Sequence, residues 1–137
     1  MSKIRVLLAD DNGQMLEHVR EVLSADGWDV VGAVANGQAA LDAAASLHPD
    51  VVVLDISMPI LNGIQAAKHL HLANPDTKIV FLTVENDSDT CRAALETGAL
   101  GYVLKARLVT DLIPALKQAL LSRRFISQGC EPDVFGR

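Results

Sequence analysis

Five residues of this chain have side chains suited to a phosphoryl group or a hard metal ion, and each closes a short apolar run. Asp10 and Asp11 follow Ile4-Arg5-Val6-Leu7-Leu8-Ala9, and Asp55 follows Val51-Val52-Val53-Leu54. Thr83 follows Lys78-Ile79-Val80-Phe81-Leu82, and Lys105 follows Gly101-Tyr102-Val103-Leu104. Singly, each has an ordinary structural use. Asp10-Asp11-Asn12 can cap a helix, Asp55 ahead of Ser57-Met58-Pro59 can open a turn, and a lone Thr or Lys usually faces solvent. Together they carry more. Clustered carboxylates repel one another and raise at least one pKa unless a cation intervenes. Hard oxygen ligands with open positions suit Mg2+. Three carboxylates against one ammonium leave a net negative site, which one divalent cation offsets. A metal and an ammonium can balance charge on phosphoryl oxygens while a carboxylate attacks in line. These residues point to a Mg2+-dependent aspartyl-phosphate site.

For the five to meet, the runs that carry them must lie side by side and parallel. The runs are short, rich in β-branched residues and nearly continuous in apolarity, as strands covered on both faces require. Asp29-Val30-Val31-Gly32-Ala33-Val34 makes a further one. Helical spacing lies between them. Met15, Leu16, Val19, Val22 and Leu23 form one stripe, and Leu112, Ile113, Leu116, Ala119 and Leu120 form another. The stretch 38–47 is Ala-rich, and 63–73 and 88–97 carry weaker stripes. Asn36-Gly37, His48-Pro49-Asp50, Asn74-Pro75-Asp76 and Gly98 punctuate the joins. Thr110-Asp111 is expected to cap the last helix, with Pro114 near its first turn. The expectation is an α/β fold, a (βα)5 doubly wound parallel five-stranded sheet with helices on both faces. Ligands of such sheets bind beyond the carboxyl ends of the strands, the rim where all five polar residues fall. The stretch 124–137 shows no period and is expected to be an irregular tail after a domain over 1–123.

Composition excludes several other classes. A length of 137 residues fits one domain. Half of the residues are hydrophobic (50%) and 21% are charged, which supports a core and argues against disorder. The net charge of −5, without a basic run, argues against direct nucleic-acid binding and against adhesion to an anionic membrane. Cys91 and Cys130 are far apart, which gives neither a disulfide framework nor a zinc pattern and suits a reducing compartment. The N-terminus carries no signal-peptide core, and no apolar stretch approaches the ~18 residues of a membrane span. A cytoplasmic protein is expected. His18, His48, His69 and His71 make no metal pattern, since His69 and His71 do not share a helix face. Cys91 and Trp28 are expected to be packing residues. No glycine-rich phosphate loop follows any strand, which argues against a nucleotide or flavin binder.

With these residues placed, the sequence resembles the receiver domain of bacterial two-component response regulators, the type often followed by a helix-turn-helix output domain. The resemblance is carried by 6–11, by Asp50 to Pro59 with Asn62-Gly63, by Val80-Phe81-Leu82-Thr83, and by Gly98 to Lys105. It spans residues 3 to about 123 and implies a flavodoxin-like strand order 2-1-3-4-5. It also implies roles. Asp55 would be the phosphoacceptor, taking a phosphoryl group from the phosphohistidine of a sensor histidine kinase or phosphotransfer protein. Asp11, Asp55 and the backbone carbonyl of Ser57 would ligate Mg2+, with Asp10 acting through a water. Thr83 and Lys105 would bind phosphoryl oxygens, helped by backbone N–H groups near Ser57 and Val84. Thr83 would be drawn toward the phosphoryl group and Tyr102 would turn inward. The face of the fourth helix, fifth strand and fifth helix would then change its preference for an output partner. Ser57 and Glu85 would tune dephosphorylation. The implied protein is a switch that catalyses only its own phosphorylation and slow dephosphorylation. Apolar and alanine residues around the first helix and around the fourth and fifth helices leave room for a homodimer on phosphorylation, without choosing a face.

One departure stands out: many receivers carry Pro after the Lys, and here Ala106-Arg107 follow Lys105. Arg123-Arg124-Phe125-Ile126-Ser127 resembles the end of receivers that precede a helix-turn-helix. Two organisations follow. One is a stand-alone receiver, favoured by the irregular stretch 128–137. The other is the receiver portion of a longer DNA-binding transcriptional regulator, truncated before its helix-turn-helix.

Overall fold

Strand and helix alternate five times in the computed structural model, which describes residues 3–130. The strands are β1 (Arg5–Ala9), β2 (Asp29–Val34), β3 (Val51–Leu54), β4 (Lys78–Thr83) and β5 (Gly101–Leu104). The helices are α1 (Gly13–Ala25), α2 (Gly37–Leu47), α3 (Gly63–Ala73), α4 (Ser88–Leu95) and α5 (Leu108–Leu120). Four helices begin at a side-chain cap. Asn12, Asn36, Asn62 and Asp87 accept the backbone N–H of Met15, Ala39, Gln65 and Thr90. Each cap satisfies a donor that the first helical turn leaves unpaired. At α3, Gln65 returns a bond to the Asn62 N–H and completes a capping box.

All strand pairs are parallel, and the order is β2-β1-β3-β4-β5 followed by β6 (Phe125–Ile126). Alternation along the strands divides the core into two layers. Leu7, Val52, Leu54, Ile79, Phe81 and Tyr102 pack with Ala40, Ala44, Ala67, Leu70 and Cys91. Val6, Leu8, Val51, Val53, Val80 and Leu82 point the other way, against Val19, Leu23, Leu112 and Leu116. This two-sided burial is why the strand runs are apolar at nearly every position. Trp28 and Cys91 are buried packing residues, as expected. No helix among the described residues is long and apolar enough to cross a membrane.

Two local features differ from the sequence expectation. The α5 helix begins at Leu108, led in by a 3-10 turn at Lys105–Arg107, so Thr110-Asp111 does not cap it. Leu108 is buried and starts the apolar stripe one turn earlier than the cap signal suggests. Pro114 therefore falls inside the helix and forgoes the bond its N–H would make to the Thr110 carbonyl. Both residues lie on the exposed side, where water can take that carbonyl. The second feature is β6. Part of the expected tail joins the sheet as a two-residue strand, too short to show any period in sequence. The stretch 131–137 lies outside the described residues.

Candidate functional site

Sheet register assembles the rim. Ala9 stands opposite Leu54 in the β1–β3 pair, so Asp10 and Asp55 emerge side by side. Two further bonds hold their backbones: Asp10 N–H donates to the Val34 carbonyl at 3.0 Å, and Asp55 N–H to the Ala9 carbonyl at 2.9 Å. Thr83 stands opposite Leu104 in the β4–β5 pair, which sets Lys105 one residue beyond. One oxygen each from Asp10, Asp11 and Asp55 lies within 4.8 Å of the others. Asp10 and Asp55 are buried and Asp11 is exposed.

Lys105 reaches into this group. Its Nζ stands 2.8 Å from Asp10 Oδ2 and 3.1 Å from Asp55 Oδ2. The other oxygens of the pair are also engaged. Asp10 Oδ1 accepts the Asn12 N–H at 2.9 Å, and Asp55 Oδ1 accepts the Ile56 N–H at 2.8 Å. Burial pushes the Asp55 carboxyl above its ordinary value, and the Asp10 charge pushes the same way against the opposing pull of Lys105. Burial draws the Lys105 ammonium down, but its bonds to Asp10 and Asp55 outweigh this and hold it above its ordinary value. One fixed cation thus serves a site with an excess of carboxylate.

The helix that follows Asp55 is fitted against it. A Cβ on Gly63 would sit 1.9 Å from the Asp55 carbonyl oxygen, and the Gly63 N–H donates to the Ile56 carbonyl at 2.8 Å. Between them, Ser57 is exposed and Ile60 adopts φ 71° with its side chain in solvent. A β-branched residue in the left-handed region stores backbone strain close to the site.

Thr83 is fully buried, and its Oγ1 accepts the Glu85 N–H at 3.2 Å in place of any bond to Asp55. The Tyr102 side chain already lies inward: it is fully buried, and its hydroxyl donates to the Glu85 carbonyl at 2.8 Å. Burial, with the nearby Cys130 and Cys91 thiols, pushes the phenol well up, so it acts as a neutral donor. Cys130 Sγ stands 3.8 Å from the same carbonyl.

Past Lys105, a second ion pair pins the turn. Arg107 Nε stands 2.9 Å from Asp111 Oδ2, which also accepts the Ser127 hydroxyl at 2.7 Å, while Thr110 donates to Oδ1 at 3.1 Å. Burial pushes the Asp111 carboxyl up, but the bonds from Arg107, Ser127 and Thr110 outweigh it and hold the pKa below its ordinary value. A depressed pKa contributes stability that is full above the unfolded value and is lost as pH falls through the folded one. Wild-type stability relative to Asp111→Asn is therefore expected to be constant well above pH 3.8 and to decline below it. Denaturant melts across pH 2 to 7 check this, and a stability difference that grows on acidification contradicts it.

The structure thus brings Asp10, Asp11, Asp55 and Lys105 together, with Thr83, Glu85 and Tyr102 linked beside them. Gly63 is visible in the sequence within the Asn62-Gly63 pair, but its close approach to the Asp55 carbonyl is not, and the Asp111–Ser127 contact has no sequence signal.

Residues 6–117 match the response regulator receiver domain, and the chain belongs to that family. It is 34% identical over 125 residues to response regulator GacA of Pseudomonas viridiflava, covering 90% of this chain and 58% of that protein. It is 34% identical over 128 residues to the nitrate/nitrite response regulator protein NarL of Escherichia coli, covering 93% and 59%. The isolated receiver domain of RcsB from Salmonella enterica, solved with the phosphomimetic BeF3−, superposes with a TM-score of 0.86. That pair is 28% identical, with 94% of this chain and 96% of the other covered. The chain spans a little over half the length of the curated relatives it matches.

Proposed function

We propose that the chain is a phosphoacceptor switch in which Asp55 takes a phosphoryl group from a phosphohistidine on a sensor kinase or phosphotransfer protein. The observation that carries this is the Lys105 ammonium held between Asp10 and Asp55, with Asp11 open to solvent beside them. In the reaction an Asp55 oxygen forms a bond to phosphorus as the N–P bond of the donor breaks, and the imidazole leaves with that electron pair. Lys105 can follow the phosphoryl oxygens from its place against Asp55. Thr83 Oγ1 accepts from the Glu85 N–H, so its own proton is left to donate to a phosphoryl oxygen.

Three hard carboxylate oxygens within 4.8 Å, two of them on buried residues, fit a small divalent cation. Asp11, Asp55 and the Ser57 carbonyl would hold Mg2+, with Asp10 acting through a water. When bound, Mg2+ supplies positive charge against the transferring phosphoryl oxygens.

The aspartyl phosphate carries about 1.5 to 2 negative charges where the Asp55 carboxylate carried one, and it brings three acceptor oxygens. Thr83 moves toward them, and this disturbs the Glu85 segment that its hydroxyl and the Tyr102 hydroxyl both hold. The α4–β5–α5 face reports that change to an output partner, and a homodimer is one such output. Ser57 and Glu85 flank the path of the attacking water and set the dephosphorylation rate. A phosphohistidine donor that is itself charged from ATP fits a cytoplasmic location.

A second organisation is the receiver portion of a longer DNA-binding transcriptional regulator; what supports it is the likeness, at a TM-score of 0.85 and 28% identity, to RcsB in a structure of its dimers bound to DNA. To test the switch, wild type and Asp55→Asn are incubated with Mg2+ and labelled acetyl phosphate. Label that requires both Mg2+ and Asp55 is expected. Equal incorporation by the two proteins overturns the proposal.

A further inference from the structure

We infer that Ser127, in the segment beyond α5, is a positioning residue for Lys105; this rests on the phosphoacceptor reading of Asp55. Ser127 lies outside the stretch 6–117 that matches the family. Its backbone is fixed by the sheet: β6 pairs with β5, and the Ser127 N–H donates to the Tyr102 carbonyl at 2.8 Å. Its side chain is fully buried and works in both directions. The Leu104 N–H donates to Ser127 Oγ at 3.1 Å, and the hydroxyl donates to Asp111 Oδ2 at 2.7 Å. Arg107 Nε donates to the same Asp111 oxygen at 2.9 Å.

These bonds enclose Lys105. Leu104 is the residue before it and Arg107 lies two after it, and both are tied to one Ser–Asp pair. The turn at Lys105–Arg107 has no side-chain cap of its own and contains no proline. Its backbone position therefore depends on what grips its two ends. Lys105 carries a long side chain with many rotamers, and where its Nζ can reach depends on where its Cα is held. The ammonium must stay between Asp10 and Asp55 and then follow a phosphoryl group, where a shift of about 1 Å can cost up to a hundredfold in rate. An alanine at 127 can neither accept from Leu104 nor donate to Asp111. In a buried site, water does not readily replace either bond.

The test is a double-mutant cycle read by the rate of labelling from acetyl phosphate. Ser127→Ala is expected to slow labelling by about tenfold in the wild-type background. In the Lys105→Ala background the same change is expected to alter the rate by less than about twofold, because no ammonium is left to position. Hydrogen exchange at the Leu104 amide should also quicken in Ser127→Ala. If Ser127→Ala fails to fold, Asp111→Asn carries the test, since it keeps an acceptor for Ser127 and loses the charge facing Arg107. It is expected to slow labelling about threefold, again only when Lys105 is present. An unchanged rate, or an equal loss in both backgrounds, overturns the positioning role. A wild type that takes no label at all overturns the phosphoacceptor proposal instead, so the two failures are distinguishable.

Discussion

Lys105→Ala is expected to slow phosphorylation of Asp55 about a hundredfold or more, the usual loss when one preorganised donor to a developing anion is removed. The Nζ stands 2.8 and 3.1 Å from two buried carboxylates, and no other cation among the described residues is paired with them. Its loss acts twice on the reaction. The transferring oxygens lose a fixed positive charge, and the Asp55 carboxyl loses the cation that opposes the upward push of burial and of Asp10 on its pKa. The same substitution is expected to tighten Mg2+ binding, because an ammonium no longer competes for Asp10 and Asp55. Titration of Mg2+ alone, followed by thermal shift, reads the second effect without any phosphoryl donor. Slower labelling together with tighter metal binding is the expected pair. A rate within about twofold of wild type means that Lys105 does not act on the phosphoryl group.

Gly63→Ala is expected to destabilise the fold by about 3 kcal/mol or more, at the upper end of the range for overpacked sites. The added Cβ would meet the Asp55 carbonyl oxygen at 1.9 Å, its carbon at 2.8 Å and the Ile56 Cα at 2.9 Å. All three are backbone atoms, so no rotamer relieves the clash. Relief requires α3 to lift or the Asp55 backbone to shift, and the second displaces the carboxylate from Lys105. Labelling at Asp55 should therefore fall along with stability. Gly13→Ala is the matched control: Gly13 also opens a helix, and its Cβ would meet nothing within 4 Å. Urea melts of the two variants check the contrast, and equal effects contradict it.

The parallel sheet was legible because burial on both faces writes itself into the strands as unbroken apolar runs. Val51-Val52-Val53-Leu54 faces both layers, with alternate residues in each. Chain direction then placed Asp10, Asp55, Thr83 and Lys105 on one rim with no side-chain geometry needed. Four features were illegible for physical reasons. Helix start signals are local, so Thr110-Asp111 looked like a cap, whereas Asp111 is drawn inward by Arg107 and Ser127. A two-residue strand such as Phe125–Ile126 has no period, and only the open edge of β5 makes it a strand. The need for glycine at 63 comes from the approach of α3 to the Asp55 carbonyl, a contact that spacing along the chain does not reveal. The inward side chain of Tyr102 is a matter of rotamer and partner, and here the partner is the Glu85 carbonyl.

Locating the acyl phosphate is the most direct measurement. The protein is phosphorylated with Mg2+ and acetyl phosphate, reduced with borohydride to mark the acyl phosphate, digested, and sequenced by mass spectrometry. The mark is expected at Asp55 alone. A mark at Asp10, at Asp11 or elsewhere, or no mark in the wild type, would contradict the assignment of Asp55 as the phosphoacceptor.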